Sequence, residues 1–196
     1  MAAAAAIAGL KACRRWPDPV RLAAPLLLAL GTLGDGAAEG LELRGKTYFS
    51  KPPWSVDLIS YYTTVWEPWA EYYFTVQLDP AAGAPLAALR IAQTRGVDRQ
   101  FPFNVEATRA FLGRPRQLGA AVPVRASFEQ ASRTFAITFP QPVPPGSTVT
   151  VVLKPWNNPA MADTYMFQVT AFPAGPDPSP TPLGYGTLRI YMPDRF

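Results

Sequence analysis

Apolar and polar residues alternate in short runs along much of the chain, and the runs predict strands. Residues 72–78 put Tyr72, Phe74, Val76 and Leu78 on one side and Tyr73, Thr75 and Gln77 on the other. That is the period of two that a strand imposes. Residues 86–94 alternate more weakly, with Leu89, Ile91 and Gln93 against Arg90, Ala92 and Thr94. Residues 122–128 and 133–139 repeat the pattern around Val122, Val124, Ala126, Phe128, Phe135, Ile137 and Phe139. The linker 129–132 between them has hairpin length. Residues 147–153, 164–172 and 187–192 complete seven strands. Phe74, Phe135, Ile137, Val149, Val151, Phe167 and Val169 are expected to point inward. Tyr73, Thr75, Thr148, Thr150, Gln168 and Thr170 are expected to point outward.

One stretch reads differently. Asn104 suits a helix cap, residues 105–112 make two turns, and Gly113 suits the left-handed close. Two turns do not stand alone, so this predicts a short crossover helix held by packing. Seven short strands separated by turns such as Pro142-Val143-Pro144-Pro145-Gly146 predict an all-β, antiparallel, immunoglobulin-like β-sandwich with that one helix. The expected division is residues 1–38 as a signal peptide, 39–53 as an irregular lead-in or edge strand, and 54–196 as the sandwich domain.

Composition narrows the chemistry. Proline accounts for 23 of 196 residues, which favours short strands and rigid turns over long helices. Histidine is absent and Cys13 is the single cysteine, so Ser-His-Asp, Cys-His and His or Cys zinc sites are excluded. The net charge is +4, but Lys11, Arg14, Arg15 and Arg21 supply much of the excess. The later arginines are scattered among acids and prolines and form no basic stripe, so no nucleic-acid partner is expected. Residues 22–33 form an apolar run interrupted by Pro25, followed by Gly36-Ala37-Ala38. This resembles a secretory signal cleaved between Ala38 and Glu39. The run is shorter than the roughly 20 residues of a comfortable membrane span. A periplasmic or extracellular protein with no stable span after processing is therefore expected.

Three groups of residues could carry function. The belt Trp54, Tyr61, Tyr62, Trp66, Trp69, Tyr72 and Tyr73 is expected mainly to fill the core and its edge. Tyr61 and Tyr73 oppose the apolar register and are its candidate exposed binders. The segments 95–99 and 154–159 follow strands and would sit at a sandwich end, where binding loops gather. They offer Asp98, Arg99, Trp156, Asn157 and Asn158 for a glycan or peptide. The bland alternative is turn chemistry, with the Asx side chains satisfying local backbone. Glu67 and Glu71 are four apart, but Pro68 between them breaks the helix that would pair them. No carboxylate pair suited to glycoside hydrolysis and no calcium loop stands out, so neither catalytic residues nor a metal or other cofactor is expected.

Several strings occur together in order: Tyr72-Tyr73-Phe74-Thr75, Gly96-Val97-Asp98-Arg99, the run from Thr108 to Gly113, Val143-Pro144-Pro145-Gly146, Asn158-Pro159, the run from Val169 to Gly175, and Leu183-Gly184-Tyr185-Gly186. In this order the chain resembles the cyanobacterial secreted family catalogued as domain of unknown function 2808. The resemblance implies an envelope or periplasmic protein and supplies no catalytic residues. The combined expectation is a non-enzymatic interaction or structural module of the cell envelope, with an envelope protein or glycan as partner. A glycan-binding module using exposed aromatics is the alternative, and a carboxylate-dependent hydrolase is the remaining one.

Overall fold

A computed structural model describes residues 41–117 and 119–193. The expected leader 1–38 and its cleavage point at Ala38 and Glu39 lie outside the described residues. In chain order the strands are β1 (Leu41–Leu43), β2 (Lys46–Tyr48), β3 (Val56–Ile59), β4 (Tyr72–Gln77), β5 (Leu86–Arg95) and β6 (Phe103–Leu112). They continue as β7 (Ala121–Val122), β8 (Arg125–Glu129), β9 (Thr134–Val143), β10 (Thr148–Pro155), β11 (Asp163–Pro173) and β12 (Thr181–Ile190). One five-stranded sheet has the order β3-β4-β10-β6-β7 and the other β12-β11-β5-β9-β8, while β1 and β2 form a separate hairpin. All pairings between these strands are antiparallel.

The two sheets pack as the alternation requires. Tyr72, Phe74 and Val76 of β4 and Val149, Val151 and Leu153 of β10 are fully buried. They meet Leu89 and Ile91 of β5, Phe135 and Ile137 of β9, and Phe167 and Val169 of β11, within one buried cluster. Rings interlock across the gap, with Phe74 to Phe167 at 5.6 Å and Phe103 to Phe135 at 4.9 Å, both edge to face. Full burial of each such side chain contributes about 1.5–3 kcal/mol.

The crossover helix is not formed. Residues 105–112 belong to β6, where Val149 pairs with Leu112, Val151 with Ala110 and Val152 with Arg109. The register then shifts, and Lys154 faces Asn104, so four residues of β6 bulge opposite Leu153 alone. The Ala107 amide donates to Asn104 Oδ1 at 3.3 Å, a cap-like bond that closes the bulge rather than a helix. Pairing along β10 outweighs the local helical signal, which spans too few turns to compete. The 122–128 run is also divided. Pro123, which has no amide hydrogen to give a ladder, lies between β7 in one sheet and β8 in the other.

Three of the expected outward threonines are buried: Thr75, Thr150 and Thr170. Thr150 donates to Gly113 O at 2.7 Å and meets the Thr75 hydroxyl at 2.9 Å. The segment after β6 folds over this part of the outer face, so the central strand β10 is covered on both sides.

Candidate functional site

Antiparallel order brings the ends of β3, β5, β10 and β12 to one end of the sandwich, together with the segments 60–71, 96–102, 156–162 and 191–193. Each is pinned to its neighbour by backbone bonds. Val65 donates to Tyr191 O at 2.9 Å, Trp66 to Pro159 O at 3.3 Å, Asn158 to Glu67 O at 2.9 Å and Trp156 to Pro102 O at 3.0 Å. The turn out of β5 requires Gly96, which has a φ of 128°, and a Cβ there would overlap the Tyr165 ring.

Two expected site residues work as staples at this end. Asp98 Oδ1 accepts from the Gln100 amide and Oδ2 from the Ala160 amide, both at 2.9 Å. It therefore ties 96–102 to 156–162. Asn158 is 1% exposed. Its Oδ1 accepts from the Tyr72 hydroxyl at 2.8 Å, and its Nδ2 donates to Tyr62 O and Thr64 O. Every hydrogen of that amide is used to hold 60–71 against the end of β4. Burial pushes the Tyr72 hydroxyl well above its ordinary pKa, so it stays a donor.

Between the loops lies a groove of about 610 Å³, within the range of small-ligand sites. Trp66, Val97, Phe101 and Met161 give it apolar walls, and Asp98, Arg99, Gln100, Asn157 and Asn158 line it as well. Four of the expected residues thus come together, while Trp156 is exposed and is not part of the groove wall. Tyr61 and Tyr73 fall elsewhere, on the outer face of the first sheet. They stack edge to face at 5.6 Å, with the Arg116 guanidinium 4.0 Å from the Tyr61 ring centre. The Tyr73 hydroxyl donates to Glu71, whose carboxylate also takes both terminal nitrogens of Arg109 at 2.9 Å. Burial and then the Glu71 carboxylate push Tyr73 up to about 12.

The aromatic belt does not mainly fill the core. Tyr72 is buried, whereas Trp54, Trp66 and Trp69 are 64–87% exposed. Trp66 also holds a φ of 60°, a left-handed conformation in which a bulky residue is an outlier. Its position beside Glu67-Pro68, outside any alternating run, was the available signal. Arg133 carried no such signal. It is 2% exposed, lies under Phe101, Phe103 and Phe128, and donates to Phe101 O at 2.9 Å and Gln93 Oε1 at 3.0 Å. Burial lowers its pKa to about 10, partly offset by Asp98.

The described residues therefore form a two-sheet antiparallel β-sandwich with a loop-built groove at one end. The chain belongs to the family described as "Protein of unknown function (DUF2808)", whose family model matches residues 46–190. No curated protein matches the chain. Among solved structures it is similar to the bacterial hydrophobin BslA, at 13% identity and a TM-score of 0.43 over 74% of this chain and 100% of that one. It is also similar to the collagen-binding domain of a Staphylococcus aureus adhesin, at 5% identity and 0.39 over 70% and 94%. The RrgA Jo.In complex gives 12% and 0.42 over 80% and 91%. All these scores fall below 0.5, so nothing about activity or partners transfers from them. Among the described residues no helix is long and apolar enough to cross a membrane.

Proposed function

We propose that this protein is an exported, non-enzymatic interaction module of the cell envelope, and that the loop end is its binding surface. The observation that carries this reading is the placement of Trp66, Trp69 and Trp156, each more than half exposed, on loops fixed to one another at that end. Tryptophan is strongly buried on average, and a group of large exposed apolar side chains marks an interaction site. The pinned loops mean that little is lost in ordering them when a partner binds. The acids near the surface favour binding over catalysis. Asp98 is tied to two backbone amides, Glu67 accepts from the Trp69 amide, and Glu71 is locked to Arg109. The Asn158 network is the turn-type use of an Asx side chain, here enlisted to shape the surface.

Sedimentation with envelope fractions tests this. The wild-type protein and a Trp54→Ser control should co-sediment. The variant carrying Trp66→Ser, Trp69→Ser and Trp156→Ser together should remain in the supernatant while melting at an unchanged temperature. Equal sedimentation of all three proteins would remove the loop end from the binding surface.

A further inference from the structure

We propose that the groove at the loop end is a glycan site selective for acidic sugars, with Trp66 as the stacking platform and Arg99 as the partner of the acid group. This rests on the loop end being the interaction surface and assigns its ligand. The argument is an inventory of the polar groups lining the groove. Asp98 and Asn158 already have their partners within the chain. Arg99, Gln100 and Asn157 also line the groove, and their side chains form no hydrogen bond or ion pair among the described residues. The groove therefore combines one indole wall with a guanidinium and two amides that are not used by the fold.

An apolar knob filling the groove would strip water from those three groups and pair none of them, which costs free energy for each. A sugar ring avoids this conflict. Its polarised C–H face lies on the negative face of the indole, and its hydroxyls both donate and accept, as carboxamides require. The charge balance sets the preference. Two acids at the groove are spent on backbone amides, Asp98 on those of Gln100 and Ala160 and Asp163 on that of Val97. The Arg99 guanidinium, by contrast, has no partner among the described residues, and a second guanidinium, that of Arg133, is buried 4.5 Å from the centre of the Phe101 ring. Planar Arg99 suits bidentate capture of a sugar carboxylate. The conformation of Trp66 points the same way. Its backbone is held at a φ of 60° while its side chain is 64% exposed, so the strained geometry presents the ring to solvent rather than to the core. Strain of this kind gathers at ligand sites.

The test is affinity electrophoresis of the full chain in native gels containing polygalacturonate, alginate or neutral dextran. Polygalacturonate or alginate should retard the wild type and dextran should not. Trp66→Ala and Arg99→Gln should each weaken retardation by roughly tenfold, the size of one stacking or charge-assisted contact. Trp54→Ala should bind as wild type. Identical near-ultraviolet circular dichroism, apart from the missing indole, would show that the variants fold. Three results would overturn the proposal: no retardation by either polyuronate, equal retardation by dextran, or a Trp66→Ala variant that binds undiminished. Binding of a proline-rich peptide through Trp66, with polyuronates inert, would overturn it as well and make the groove a peptide site. If glycans fail while envelope sedimentation still depends on the three tryptophans, the ligand assignment falls and the interaction surface stands. If that dependence fails too, both fall.

Discussion

Trp66 pays twice for its position, in backbone strain and in exposed apolar area. A left-handed conformation costs a non-glycine residue about 1–2 kcal/mol, whereas glycine there loses roughly 0.5–1 kcal/mol in backbone entropy. The Trp66 ring, 64% exposed, has little packing to surrender. Trp66→Gly should therefore match the wild type in denaturant melts or exceed it by up to about 1 kcal/mol, while losing envelope binding. A loss beyond about 1 kcal/mol would make the ring a structural prop. At this scale the sequence was half legible. It singled out Asp98, Arg99, Asn157 and Asn158, and all four line one groove. It could not separate those spent on the fold from those left free, because the partners lie far along the chain: Asn158 bonds to Tyr72, 86 positions away. Arg133 stayed invisible because its neighbours Phe101 and Phe103 lie about 30 positions earlier in the chain, in the 96–102 loop and at the start of β6.

At the scale of elements, period two was the reliable guide and local helix signals were not. The seven alternating runs all contain strand, since their side chains have only two faces to choose between. β6 was misread because its bulge imitates a cap, and β3 was not anticipated because four residues are too few to show a period. The register itself is testable on β11. Phe167 is 3% exposed and rings from β4 surround it, with Tyr72 at 6.0 Å and Phe74 at 5.6 Å. Gln168, its neighbour on the other face, is half-buried. Phe167→Ala should cost about 3–5 kcal/mol in denaturant melts, and Gln168→Ala under about 1 kcal/mol. Equal costs would mean that both faces of β11 are packed alike. The link from Glu71, just before β4, to Arg109 of β6 is electrostatic and carries its own signature. Burial raises the pKa of Glu71, but the hydrogen bonds from Arg109 and Tyr73 outweigh it and hold the carboxyl below its ordinary value. A carboxylate lowered in the folded state stabilises above its unfolded pKa, and the contribution fades as pH falls through the folded value. The wild type should thus be more stable than Glu71→Gln at neutral pH, and the gap should close as pH drops below about 4. A gap that is constant with pH would show that the ion pair adds nothing.

Over the whole molecule, the question is what holds roughly 150 residues of sandwich together. A chain of this size buries about 68–70% of the surface its unfolded form exposes, enough for a core to suffice without cross-links. The one cysteine, Cys13, lies within the expected leader, and the chain contains no histidine. The first described strand opens at Leu41, two residues beyond a cleavage after Ala38. Removal of residues 1–38 would therefore leave β1 intact and discard the only thiol. Two measurements check this together. Intact mass of the protein from the periplasmic or extracellular fraction should correspond to a chain beginning at Glu39. Thermal melts of that species should coincide with and without reductant, and with and without a chelator. A full-length species in the membrane pellet would show that the leader is kept as an anchor. A chelator-dependent fall of more than a few degrees would reveal a metal bound by carboxylates. Asp98, Glu67 and Glu71 would be poor ligands for it, because each is already committed to hydrogen bonds within the fold, so binding a metal there would first have to break the bonds that shape the loop end.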